Sequence, residues 1–408
     1  VSVDFVNEKA AVLGHRRFAY FWTARTLSTS AFQIQAVAAG WHLYLLTGSA
    51  LDLGFLGLAE FVPALLLVLF AGHFADRYDR RKIVTACQSC HAAIALLLAF
   101  GAADGILGRG GIFALIAAAG TARAFEHPTM AALMPGLVPI AIFPRASAWS
   151  AVAIKAAQVM GPALGGVLLA AGTPAGFAAA SMIFLIAASF SWRIGPSRTV
   201  PPREPFTLQS FFSGIGFARR KPIILGTLSL DLFAVLFGGV TALLPVFAHD
   251  ILKTGPEGLG LLRAAPALGA LCMAAALTRY PISRNVGALM FTAVSMFGFA
   301  TVIFGLSHNI YLSLAALATL GAADTVSVVI RFSLVQIQTP DAMRGRVSAL
   351  NSLFIVTSNT LGDFESGAAA ALFGAVPAVL IGGGATILIA LLWMVLFPSL
   401  RRLGTYEG

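Results

Sequence analysis

The chain has 408 residues, 58% of them hydrophobic and 11% charged, with a formal net charge of +10. A soluble domain is nearer a quarter charged, so a mean hydropathy of +0.86 excludes one and points to a polytopic membrane protein. The basic residues sit in loops between apolar runs, which excludes a nucleic-acid surface and suits the positive-inside rule.

At about 20 apolar residues per crossing the length accommodates about twelve helices, and no period-two alternation suggests a β-barrel. The first predicted span, 18–46, is interrupted by Arg25, Gln33 and Gln35 and ends on the interfacial aromatics Trp41, His42 and Tyr44. Ser49 to Asp52 looks like a capping box opening the second span, which carries Glu60 and Pro63 and runs to about 75. The third, 83–103, contains Cys87-Gln88-Ser89-Cys90-His91. That segment matches a haem c attachment pattern in form, yet it lies in an apolar run on the wrong side of the membrane, and ordinary helix packing is the better reading. Cys272 reads as a small hydrophobe. The fourth span, 112–133, carries Arg123, Glu126, His127 and Pro128; the i, i+3 spacing suggests a local Arg123–Glu126 pair. The fifth, 148–171, carries Lys155 and Gly161-Pro162-Ala163-Leu164-Gly165-Gly166, and the sixth is 175–194.

Residues 195–221 are rich in Pro and Arg and read as a cytoplasmic linker between a first half, 1–194, and a second, 222–408. The second half holds spans at 222–247 (Asp231, Pro245), 258–278 (Arg263, Pro266), 286–306, 310–334 (Asp324, Arg331), 347–372 (Asp363, Glu365) and 376–398. Alternating the loops from a cytoplasmic N-terminus leaves only Arg109 and Lys253 on the outer side, so both termini are expected inside. A shift of 201 positions lays Pro139 on Pro340, Arg145 on Arg346, Ser147 on Ser348 and Gly161 on Gly362, so the halves look like parallel repeats.

The turn after the second span reads Gly72-His73-Phe74-Ala75-Asp76-Arg77-Tyr78-Asp79-Arg80-Arg81-Lys82. This G-x-x-x-D-R-x-x-R-R pattern resembles the signature loop of major facilitator superfamily transporters, although that family usually has Gly where Asp79 stands. Leu46-Thr47-Gly48-Ser49-Ala50, Leu137-Val138-Pro139 and residues 339–347 extend the resemblance over nearly the whole chain. It is nearest the enterobactin-exporter-like branch that exports drugs and siderophores. The resemblance implies an all-α fold of two six-helix halves in a bacterial inner membrane. It also implies a conformational-switch role for Gly72, Asp76, Arg77, Arg80 and Arg81, with Asp76 facing the start of the eleventh span. Gly161, Pro162, Gly165 and Gly166 resemble the fifth-span motif of antiporters; a kink needed only for packing is the alternative.

No nucleotide loop, metal cluster or nucleophile–base pair is apparent, so an enzyme is not expected. The expected energy source is a proton gradient, with no cofactor. The expected partners are a small-molecule substrate and membrane lipid, the expected state is a monomer, and no nucleic acid is involved. Charges within spans default to function or pairing. Asp231, Glu60, Asp324, Arg331 and Glu365 are the candidate proton or substrate residues. Asp324 and Arg331 share one face of their helix, and Glu365 is the expected cross-helix partner of Arg331, either as a switch or as a fixed pair. The expected function is proton-coupled export of small amphiphilic molecules. A metabolite importer or facilitator on the same fold, or a lipid flippase or sensor, are the rivals.

Overall fold

The computed structural model describes residues 14–195 and 208–406. Every regular element among them is helical. In the first half these are α1 (Arg16–Thr47), α2 (Ala50–Arg77), α3 (Arg80–Ala103), α4 (Arg109–Leu133), α5 (Phe143–Ala170) and α6 (Thr173–Arg193). The second half holds α7 (Leu208–Arg220), α8 (Pro222–Gly238), α9 (Gly255–Arg279), α10 (Val286–Leu306), α11 (Ile310–Gln338), α12 (Asp341–Phe373) and α13 (Ala375–Leu396).

Nine segments among the described residues are long and apolar enough to cross a membrane. α1, α4 and α12 are as long, at 32, 25 and 33 residues, but carry charges inside them. With no water to satisfy it, a chain in lipid closes its backbone hydrogen bonds within each helix. The large apolar side chains that remain exposed, such as Leu66, Val167, Leu388 and Val395, then face lipid rather than water.

The chain forms two compact units: residues 1–47 with 59–205, and residues 48–58 with 206–408. The first turns of α2 therefore cluster with the second unit, where Phe55 packs on Phe364 of α12. Within the first unit α1 packs on α5 and α6, and α3 on α4 and α6. Within the second, α8 packs on α12 and α13, and α10 on α11 and α13. The internal order of one unit repeats in the other, as parallel repeats require.

Two local features differ from the sequence expectation. The linker ends in a helix: α7 is amphipathic, and Ile215, Phe217 and Ala218 pack with Ile224, Val335 and Val347, leaving Arg219 and Arg220 exposed. Residues 196–207 of that linker lie outside the described residues. The seventh span is also not one straight helix. α8 stops at Gly238, Gly239 is extended, and 241–251 continues as short tight turns and one wide π turn. A Cβ at Gly238 would sit 2.5 Å from the Phe297 ring of α10 and 2.6 Å from the Thr386 hydroxyl of α13, so crowding by both helices selects glycine where the helix breaks.

Candidate functional site

The charged signature occupies the end of α2, a two-residue link and the start of α3. Asp79 caps α3, its Oδ1 accepting the Arg81 backbone N–H at 3.0 Å. That gives a reason for Asp where the family pattern has Gly: a short acidic side chain satisfies an orphan donor at the helix start. Arg80 donates to the Ala132 carbonyl of α4 at 3.1 Å, and Arg81 lies over the Trp192 ring at 4.8 Å. Arg77 is exposed. Gly72 and Asp76 fall within α2, but their side chains lie outside those described, as does the expected approach of Asp76 to the eleventh span.

The first unit holds a half-open cavity of about 110 Å³ lined by polar and charged residues of α1, α4 and α5. Arg25, Ser28, Phe32 and Gln33 come from α1, Arg123, Glu126 and His127 from α4, and Gln158 from α5. The expected local Arg123–Glu126 pair is not what forms. Arg123 instead lies 3.7 Å from Glu60 of α2, with its guanidinium over the Phe32 ring at 3.5 Å. Glu126 Oε1 accepts from Ser28 Oγ at 2.6 Å and Gln88 Nε2 at 3.0 Å, and Oε2 lies 3.4 Å from His91 Nε2. Ser191 Oγ in turn donates to Gln88 Oε1 at 2.7 Å. Cross-helix donors reach Glu126 more directly than a neighbour on its own helix, and a carboxylate taken out of water needs such donors. His91 is fully buried and stacked on Phe184, with ring centroids 5.0 Å apart.

The fifth-span motif packs α5 against α1 beside this cavity, which Gln158 of α5 lines. Gly161 and Gly165 lie one turn apart on α5, where a Cβ at Gly161 would meet Gln33 Cβ at 2.7 Å. Small residues at this spacing let two membrane helices approach closely. Gln33 is thereby held at the cavity edge. Gly166 and Pro162 are buried in the same helix.

In the second unit Arg331 of α11 forms an ion pair with Asp231 of α8, both side chains almost fully buried. This corrects the expected Arg331–Glu365 pairing. α8 packs along α12 and α13, and its Asp231 lines a narrow cleft that Asp324 and Ser327 of α11 also line. Asp324 and Arg331 thus share a face, as their spacing requires. Glu365 is half-buried on α12, beside Ser366, whose hydroxyl donates to the Gly239 carbonyl at 2.7 Å.

The Glu126 cluster escaped the sequence reading. Its one visible signal was Gln88 and His91, an i, i+3 polar pair in the apolar run that resembled a haem motif. The partnership of Asp231 with Arg331 had a weaker signal: each was a buried charge with no opposite charge within a turn of its own helix.

A helical membrane bundle with charges buried in its spans and a polar cavity between its helices fits a membrane transporter. The chain belongs to the transmembrane secretion effector family of the major facilitator superfamily, whose model matches residues 8–404. It is similar to the enterobactin exporter EntS of Citrobacter koseri, 27% identical over 412 residues covering 95% of this chain and 93% of the relative. Against the enterobactin exporter of Shigella boydii serotype 18 the identity is 26% over 410 residues, with the same coverage. Among solved structures, the POT family transporter PepTSo superposes with a TM-score of 0.72 at 14% identity over 95% of this chain and 98% of that one. A bacterial homologue of the iron transporter ferroportin, inward-facing, gives 0.70 at 18% over 95% and 99%. These likenesses carry the fold alone.

Proposed function

We propose that the chain is a proton-coupled exporter of small amphiphilic molecules of the drug or siderophore type. It works as a monomer of twelve spans by alternating access in a bacterial inner membrane, with both termini cytoplasmic and no cofactor. The siderophore part of this reading comes from relatives named as enterobactin exporters.

The observation that carries it is the Asp231–Arg331 pair beside Asp324. A buried ion pair is stable while intact, but losing one charge strands the other at a cost of about 3–5 kcal/mol. Protonation of Asp231 does this reversibly. It frees Arg331 to seek a different carboxylate, and Asp324 lines the same cleft. A proton thereby selects between two arrangements, which is what coupling needs.

Uptake by inside-out membrane vesicles tests the reading. Siderophore or drug accumulation that collapses with a protonophore supports export. Accumulation into intact cells instead indicates a metabolite importer or facilitator, and lipid movement without proton flux indicates a flippase.

A further inference from the structure

Of the two arginines that line the cavity of the first unit, Arg25 is the one with no ion pair among the described residues. Arg123 has Glu60 at 3.7 Å, and Glu126 is held by Ser28 and Gln88. Arg25 donates from Nη1 to the neutral Ser150 hydroxyl at 3.1 Å and stands 5.7 Å from the Phe21 ring centroid. Among the described residues no carboxylate pairs with it. A guanidinium has five N–H donors in a planar fork. One is used here, and others are available to the cavity that Arg25 lines. A charge within a span is costly unless paired, and a planar, two-oxygen anion is the ligand that fits such a fork.

A second observation sets the rest of the ligand. Arg123 covers one face of Phe32 at 3.5 Å, while its own side chain remains 41% exposed. The outer face of a guanidinium stacked in this way is a platform for another flat ring. Gln33 and Gln158 add amide donors and acceptors at the rim, and no second carboxylate besides Glu126 lines the space.

We propose that this cavity is an organic-anion site, taking the carboxylate of a flat aromatic molecule on Arg25 and its ring on Arg123. The proposal deepens the exporter reading by naming its substrate class, and rests on that reading for its physiological direction only. Glu126 sets the affinity from the same cavity, because its negative charge opposes an anion bound nearby.

Equilibrium binding of 2-naphthoate and of the neutral 2-naphthamide to the purified full chain, in detergent and without any gradient, tests it. The expected result is naphthoate binding at least about tenfold tighter than naphthamide, a difference that Arg25→Gln abolishes by weakening naphthoate alone. Arg25→Lys should keep part of the preference, and Glu126→Gln should tighten naphthoate. Equal affinity for the two probes, binding of neither, or an Arg25→Gln variant that keeps the preference overturns the site. If Arg25→Gln does not fold, the Glu126→Gln result decides, and unchanged or weaker naphthoate binding there also overturns it. Naphthoate binding without transport in vesicles would leave the site standing and remove the exporter reading. Transport of other compounds without naphthoate binding would do the reverse.

Discussion

At the level of single residues, Asp231 and Arg331 carry the proposed coupling. Asp231→Asn keeps the shape but strands a buried guanidinium, so we expect a loss of about 3–5 kcal/mol in stability together with loss of transport. Replacing both by Met should recover the thermal midpoint and not the transport, because an apolar pair of similar volume is tolerated where a lone charge is not. A differential scanning measurement beside a vesicle assay reads both. Recovery of transport in the double variant would reduce the pair to a structural one. The pairing itself was only half legible in the sequence. Spacing rules see neighbours on one helix, so they placed Asp324 and Arg331 on one face and suggested Arg123 for Glu126. They carry no information on which helix comes alongside, and in both cases the closer partners came from another helix.

Helix by helix, the hydrophobic pattern was a good guide. The ninth span, 286–306, coincides with α10, and α3, α5 and α12 extend the expected spans by a turn or so at their basic, watery ends. The break in the seventh span was not legible, because glycines inside an apolar run are compatible with an unbroken helix, and the crowding of Gly238 by Phe297 and Thr386 comes from other helices. Gly120 is crowded in the same way. A Cβ there would run into the Glu60 backbone of α2. Gly120→Val should force α2 and α4 apart, cost about 1–3 kcal/mol or more, and disturb the Glu60–Arg123 contact. Thermal denaturation in detergent checks this, and an unchanged midpoint would show that the two helices do not approach so closely. The signature turn supplies another test. Asp79→Ala removes the cap of α3 and should cost about 1 kcal/mol with transport otherwise retained. Asp76→Asn, by contrast, is expected to cut transport while leaving expression and ligand affinity nearly unchanged, since its proposed role is in the balance of states.

For the whole molecule, topology comes first. The distribution of Lys and Arg predicts that 195–221 is cytoplasmic and 104–111 external. In a cysteine-free background, an impermeant maleimide added to intact cells should label a Cys at Gly108 and not one at Pro202; the opposite pattern would invert the protein. Energetics come next. If an organic anion leaves while a proton enters, both movements carry charge in the direction the membrane potential favours. Each elementary charge then contributes about 2.3 kcal/mol per 100 mV. Export would respond to voltage as well as to the pH gradient, which a potassium–valinomycin clamp can separate.

In the proposed mechanism a proton moves in exchange for substrate through Asp231. The most direct measurement is proton flux in proteoliposomes with an acidic interior and an entrapped pH dye, as substrate is added to the cytoplasmic face. Substrate-evoked alkalinisation of the lumen is expected from the wild-type chain and none from Asp231→Asn. Substrate uptake by the wild type with no change in lumenal pH, or an undiminished proton response in Asp231→Asn, would contradict it.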